Sequence, residues 1–230
     1  MNAIALELDV TKRSEEVTQA LKSRNVSITL SESEKARIAF LAKRNCIDPA
    51  VLNSLPPTLQ GVTLMILEAK RDGLFAEYGI DAALGGFAQG AKKPLLELET
   101  VDAQTAALMG DADEQKKVLL GILEGIETEQ IQPYLKTLHR LWVASDLDGL
   151  SKHLHSVEAL AASAGFDDDR LFHQRNLKMA ESVAALHAKQ PVFVAVGSGH
   201  MIEDDGLPGL MKSKGFAVER VAFDGASPGK

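Results

Sequence analysis

Pro191 to His200 reads PVFVAVGSGH. The apolar run Val192, Phe193, Val194, Ala195, Val196 is too short for an ordinary buried helix. It is rich in β-branched residues and closes on glycine, a pattern that predicts a strand buried on both faces. Strands of that kind belong to parallel sheets covered by helices. In open α/β sheets ligands gather just beyond the carboxyl ends of the strands, the place that Gly197-Ser198-Gly199-His200 takes here. Histidine binds metals and moves protons near neutral pH. Two readings of the turn stand side by side: a working histidine at the mouth of the sheet, and a βα turn whose histidine is merely exposed.

Upstream, Asp167 to Lys189 reads as the helix that feeds this central strand, with Phe172, Met179, Val183 and Leu186 on its buried face. Arg175 and Asn176 flank that same face, which is unusual for polar residues. The helix rises about 20 Å from Asn176 to Lys189 at ~1.5 Å per residue. The strand from Pro191 to Gly197 climbs about 20 Å the other way at ~3.3 Å per residue. Arg175 and Asn176 are therefore expected level with the glycine-histidine turn. The competing reading is ordinary polarity at a helix start, with the Arg175 stem on apolar surface and its head in water. Downstream, Asp205 to Ser213 reads as a short helix, Phe216 to Val221 (FAVERV) alternates like an edge strand, and Asp224 to Lys230 reads as a frayed tail.

Two further strands are expected. Asn2 to Val10 (NAIALELDV) sets Leu6 and Leu8 against Glu7 and Asp9, and Pro94 to Glu99 (PLLELE) echoes it as a second buried strand. Both end in acids on the edge where the turn lies. Neighbouring strands are about 4.8 Å apart, so Glu7, Glu99 and His200 are expected to converge in one pocket. Histidine with carboxylates and no cysteine suits zinc, manganese or a similar ion, and equally a general-base site. A histidine on a turn is expected to contribute little to the core.

The remainder is helical. Ser14 to Arg24 carries Val17, Ala20 and Leu21 at helical spacing, and Ser31 with Glu34 forms a capping box. Pro57 opens the helix Thr58 to Lys70, and Asp81 to Lys92 is short. From Val101 to Gly165 no strand pattern occurs. Asp111 and Glu114 cap one helix, Thr128 is expected to cap the next, and Leu147 to Ala164 forms a third. This stretch, about 101–165, reads as a helical layer or lid within a single domain of 1–230. The expected fold class is α/β: a small, mostly parallel sheet with covering helices and a helical insertion.

With 230 residues, 45% of them hydrophobic and 25% charged, the chain is long enough for a sizeable core. A net charge of −7 without a Lys/Arg cluster argues against nucleic acid as a partner. Cys46 is the sole cysteine, which excludes internal disulfides and all-cysteine metal sites. No segment is apolar and long enough to span a membrane. The sequence as given opens on a strand, with no export signal ahead of it, which taken literally places it in the cytoplasm. Gly197-Ser198-Gly199 lacks the third glycine and the following strands of a dinucleotide fingerprint. Ser198 has no His/Asp pattern that would make it a nucleophile, and His153 and His155, two apart on a helix, do not chelate as a pair.

Arg175 to Val221, with its Arg-Asn-x-x-Met helix, V-G-x-G-H turn and D-G-L helix, resembles the carboxyl-terminal signature of the TraB/GumN family. Gly79 to Gln104 resembles that family's central block, with Glu99 and Gln104 in its E-x-x-x-x-Q pattern, and NAIALELD resembles its acidic amino-terminal strand. The resemblance implies kinship with the Tiki proteases and with erythromycin-esterase-like and haem-binding ChaN-like folds. It implies a metal-dependent hydrolase, with a peptidase among the candidates and a peptide or small molecule as substrate. His200, Glu7 and Glu99 would surround the divalent metal, Arg175 and Glu99 would act in catalysis, and Gly197, Gly199, Asn176 and Gln104 would support them. The family carries two G-x-x-H motifs. Gly197 to His200 matches the second, whereas the first lies ahead of the acidic strand, beyond the amino end of this sequence. An export signal or lipoprotein anchor is expected with that segment, which would move the protein to the cell envelope or periplasm. The alternative is a non-catalytic binding or accessory protein that keeps the fold.

Overall fold

Ala3–Leu6, sequence AIAL, forms β1, and it is the strand around which the sheet is assembled. All four of its residues are buried. The structure, a computed structural model, describes residues 2–9, 15–156 and 167–221. In chain order the helices begin with α1 (Glu15–Ser23), α2 (Glu32–Arg44), α3 (Pro49–Asn53), α4 (Pro57–Arg71) and α5 (Ile80–Gly90). Strand β2 (Leu95–Glu97) follows, and then α6 (Val101–Leu108), α7 (Ala112–Glu127), α8 (Ile131–Val143) and α9 (Leu147–Ser156). The chain continues with α10 (Gln174–His187), β3 (Val192–Ala195) and α11 (Leu207–Ser213).

The strand order is β2-β1-β3, all parallel, with Ile4 opposite Leu95 and Phe193, and Leu6 opposite Glu97 and Ala195. Beyond Leu6 the ladder runs on: Leu98 N–H donates to Leu6 O at 2.9 Å and Glu99 N–H to Glu7 O at 3.2 Å. The pleat puts alternate residues on opposite faces. Ala5 shares one face with Met179, Ala180 and Leu207 from α10 and α11, while Ile4 and Leu6 pack against Leu84 and Ala88 of α5. The protein is thus α/β, a small parallel sheet with covering helices.

Four expectations change. The apolar run at 192–196 is neither central nor buried on both faces: β3 is an edge, and Phe193 is 43% exposed. Alanine explains the exchange of places, because Ala3 and Ala5 let a helix layer approach β1 closely while hydrogen bonds close both of its sides. Phe216 to Val221 pairs with no strand among the described residues; the Phe216 ring instead meets His187, their centroids 5.3 Å apart, and Arg220 donates to Ser145 O at 2.6 Å. Thr128 does not open a helix but closes α7, its hydroxyl donating to Glu124 O at 2.8 Å, and α8 begins after Gln130. The helix feeding β3 starts with a π turn, Asp169–His173, rather than in regular α geometry. The capping boxes at Ser31/Glu34 and Asp111/Glu114 both form. Val10, Ser14, the stripe residues Val157, Ala161 and Ala164, and the tail 224–230 lie outside the described residues.

The helical layer has its own core. Ile38, Leu41, Leu52 and Leu64 pack with Val118, Leu119, Ile122, Leu123, Ile126 and Ile131, so helices before and after β2 share one apolar cluster. Gly61 lets α4 approach α7 closely: a Cβ there would lie 3.0 Å from Ile122 Cδ1 and 3.3 Å from Leu119 Cα. The α8 stripe is shallower than its spacing predicts, with Ile131 buried but Trp142 49% exposed.

Candidate functional site

A crossover helix between parallel strands runs antiparallel to them, so its first turn sits at the carboxyl ends of the strands. That rule places the amino end of α10 at the mouth of the sheet, level with Glu7, Glu99 and the turn after β3. Arg175 is 9% exposed and Asn176 2%, so neither lies along the surface with its head in water.

Arg175 holds both strand-end acids. Its Nη2 donates to Glu99 Oε1 at 2.6 Å and to Glu7 Oε2 at 2.7 Å, its Nε donates to Glu99 Oε2 at 2.9 Å, and its Nη1 donates to Leu171 O at 3.1 Å. Such charge-assisted, forked bonds are the strong class, and a guanidinium suits them where an ammonium does not. Glu7 has two more donors: Gln104 Nε2 at 3.3 Å to Oε2, and the backbone N–H of Gly197 at 2.6 Å to Oε1. The fit there is tight: a Cβ on residue 197 would lie 3.3 Å from Glu7 Oε1. Burial works to lower the pKa of Arg175, but Glu99 and then Glu7 outweigh it and raise the value.

His200 is 3% exposed, which corrects both the exposed-histidine reading and the expectation that it adds little to the core. Its Nδ1 lies 2.6 Å from Asn176 Oδ1, and its Nε2 lies 3.8 Å from Glu7 Oε1. The ring of Phe172 covers it, with centroids 5.5 Å apart. Gly199 makes room for that ring, since a Cβ there would lie 2.6 Å from Phe172 Cε1. Glu7, Glu99, Arg175, Asn176, Gln104, Gly197, Gly199 and His200 thus form one cluster.

Burial lowers the His200 pKa below the ordinary 6.5; Glu7 pulls it up, Arg175 pushes it down, and Glu99 pulls it up more weakly. On acidification the unfolded chain therefore takes its proton first. The contribution to stability is complete above the unfolded pKa of about 6.5 and is lost as the pH falls toward the lower folded value. Chemical denaturation between about pH 8 and pH 5 checks this. The wild type is expected to lose more stability across that window than His200→Gln, and equal losses would show that His200 does not titrate differently on folding.

Asp81 is missing from the set expected from the sequence. It lies in the first turn of α5, which stands before β2 as α10 stands before β3. The crossover geometry that sets the start of α10 at the mouth sets the start of α5 there too, and burial raises the Asp81 pKa, with the charge of Glu7 raising it further. The signal was present in the order of elements: an acid at the start of a helix that feeds a parallel strand.

The donor types suit zinc or manganese. Their positions do not complete a site: Arg175 binds Glu99 through both oxygens and Glu7 through one, and Gly197 binds the other oxygen of Glu7. Among the described residues no three His, Cys, Asp or Glu side chains gather closely enough to hold an ion. No helix among them is long and apolar enough to cross a membrane.

An α/β fold with an Arg–carboxylate–histidine cluster at its sheet mouth is the class defined so far. A model of the TraB/PrgY/gumN family matches residues 1–220, and the chain belongs to that family. It is similar to the protein designated "Uncharacterized protein YbaP" from Escherichia coli (strain K12) and to its namesake from Shigella flexneri. Identity is 26% over 183 residues in each case, covering 80% of this chain and 66% of the relative. The chain thus spans just under two-thirds of the length of these curated relatives. No solved structure is a significant match.

Proposed function

We propose that the sheet mouth is a hydrolytic site, of the metal-dependent and peptidase-like kind that the family resemblance implies, and that the described residues provide only part of it. The observation that carries this reading is the convergence of Glu7, Glu99, Arg175 and His200 from four separate segments onto one buried charged cluster. In this reading Arg175 balances and orients the two carboxylates, and His200 is the ligand or base. A divalent ion, when bound, would supply Lewis acidity and an activated water. Arg175 and Gly197 already engage the two oxygens of Glu7, so further ligands are needed for tight binding.

A second reading, a binding or accessory protein that keeps the fold without catalysis, is favoured by the closed state of the ion-pair network. Calorimetric titration with Zn²⁺ and with Mn²⁺ separates the two. Weak binding that disappears in His200→Ala supports the hydrolytic reading. Heat changes that are absent for both ions, or unaltered by His200→Ala, support the accessory protein.

A further inference from the structure

The Asn176 amide is oriented from outside the cluster. Its Nδ2 donates to Asp205 O at 3.0 Å, which leaves Oδ1 as the atom 2.6 Å from His200 Nδ1. An amide oxygen only accepts, so the ring nitrogen opposite it must carry the proton. The carbonyl that sets this orientation is itself held in place. Gly206 and Gly209 fold the segment tightly, since a Cβ on either would lie about 2 Å from a backbone oxygen, of Ile202 and of Asp204 respectively. The Asp205 carboxylate also takes His173 Nδ1 at 3.2 Å. On the other side of the ring, Nε2 stands 3.8 Å from Glu7 Oε1, too far for a hydrogen bond although a protonated Nε2 would have a carboxylate at hand.

We infer that Asn176, oriented by the Asp205 carbonyl, is a positioning residue that fixes His200 in its Nδ1–H tautomer and leaves the Nε2 lone pair open toward Glu7. That is the form in which a histidine takes a proton or ligates an ion through Nε2, and a second hydrogen bond on the other nitrogen is the usual way to select it. Neutral imidazole in water favours the opposite tautomer, so the selection has to come from the fold. The D-G-L segment supplies the orienting acceptor from its backbone, the Asp205 carbonyl. The value of an open Nε2 rests on the sheet mouth being a working site, whereas the tautomer itself does not.

Long-range ¹H–¹⁵N correlation spectra of labelled protein at about pH 8, where an ordinary histidine is neutral, read the tautomer directly. The His200 signals are assigned by their loss in His200→Gln. The wild type is expected to show a protonated, pyrrole-like Nδ1 and a bare, pyridine-like Nε2. Asn176→Leu is expected to draw the two shifts together or to reverse them. A wild-type ring with Nε2 protonated, or with averaged shifts, overturns the inference without need of the variant. Unchanged shifts in a folded Asn176→Leu overturn the role of Asn176. Titration with Zn²⁺ keeps the two questions apart: with the tautomer confirmed, an Nε2 that moves supports the hydrolytic reading. An unmoved Nε2 removes the ion from that reading and leaves the inference standing.

Discussion

Arg175→Met is expected to lower stability by about 3–5 kcal/mol, read from the midpoint and slope of urea denaturation. The charge it removes lies between two acids whose side chains are 4% (Glu99) and 20% (Glu7) exposed, so Glu99 is left buried without its cation and Glu7 keeps only the neutral donors Gln104 and Gly197. Arg175→Lys keeps the charge but loses the planar fork that reaches both acids, and an intermediate loss is expected. Adding Glu99→Gln to Arg175→Met should recover part of the deficit, because one of the two stranded charges then disappears. A loss below about 1 kcal/mol for Arg175→Met would place the pair with exposed surface bridges and contradict the buried packing of the mouth. The measurement bears on function as well. If Arg175 dominates the stability of the mouth, it acts by holding Glu7 and Glu99, and only secondarily by meeting a substrate.

Leu119→Ala should cost about 2–5 kcal/mol. Leu119 is fully buried where α4 meets α7, and Gly61 brings the two backbones too close for the layer to settle much into the void. The same variant tests whether the helical layer and the sheet form one cooperative unit. Trp142, on α8, reports the layer by fluorescence, and far-ultraviolet circular dichroism reports the whole chain. One coincident transition, shifted by the same amount with either probe, is expected of a single domain. Separate transitions would mean that the layer melts by itself, and the expectation of one domain over 1–230 would fall.

Local chemistry along the chain was enough to determine a good deal. Short apolar or alternating runs closed by glycine or acids marked the positions of β1, β2 and β3. Side chains that reach backbone only three residues away determined the caps at Ser31 and Asp111. Counting rise per residue along the helix and back up the strand set Arg175 and Asn176 level with Gly197–His200, because helix and strand geometry is fixed by the backbone alone.

Tertiary structure decided the rest. Which strand is central could not be read from apolarity, since VFVAV looks more buried than AIAL. The order β2-β1-β3 depends on which backbone edges pair and how closely helices approach, and there the small alanines of β1 prevail. FAVERV alternates as a strand should, but alternation creates no partner, and its Phe216 packs on His187 instead. The state of the mouth was also invisible. Sequence marks Glu7, Glu99 and His200 as potential ligands, whereas the fold seats Arg175 between the two acids and ties His200 to Asn176. Those bonds join residues 24 to 168 positions apart. Only packed helices bring such groups to hydrogen-bond distance, where burial makes their charge and orientation count.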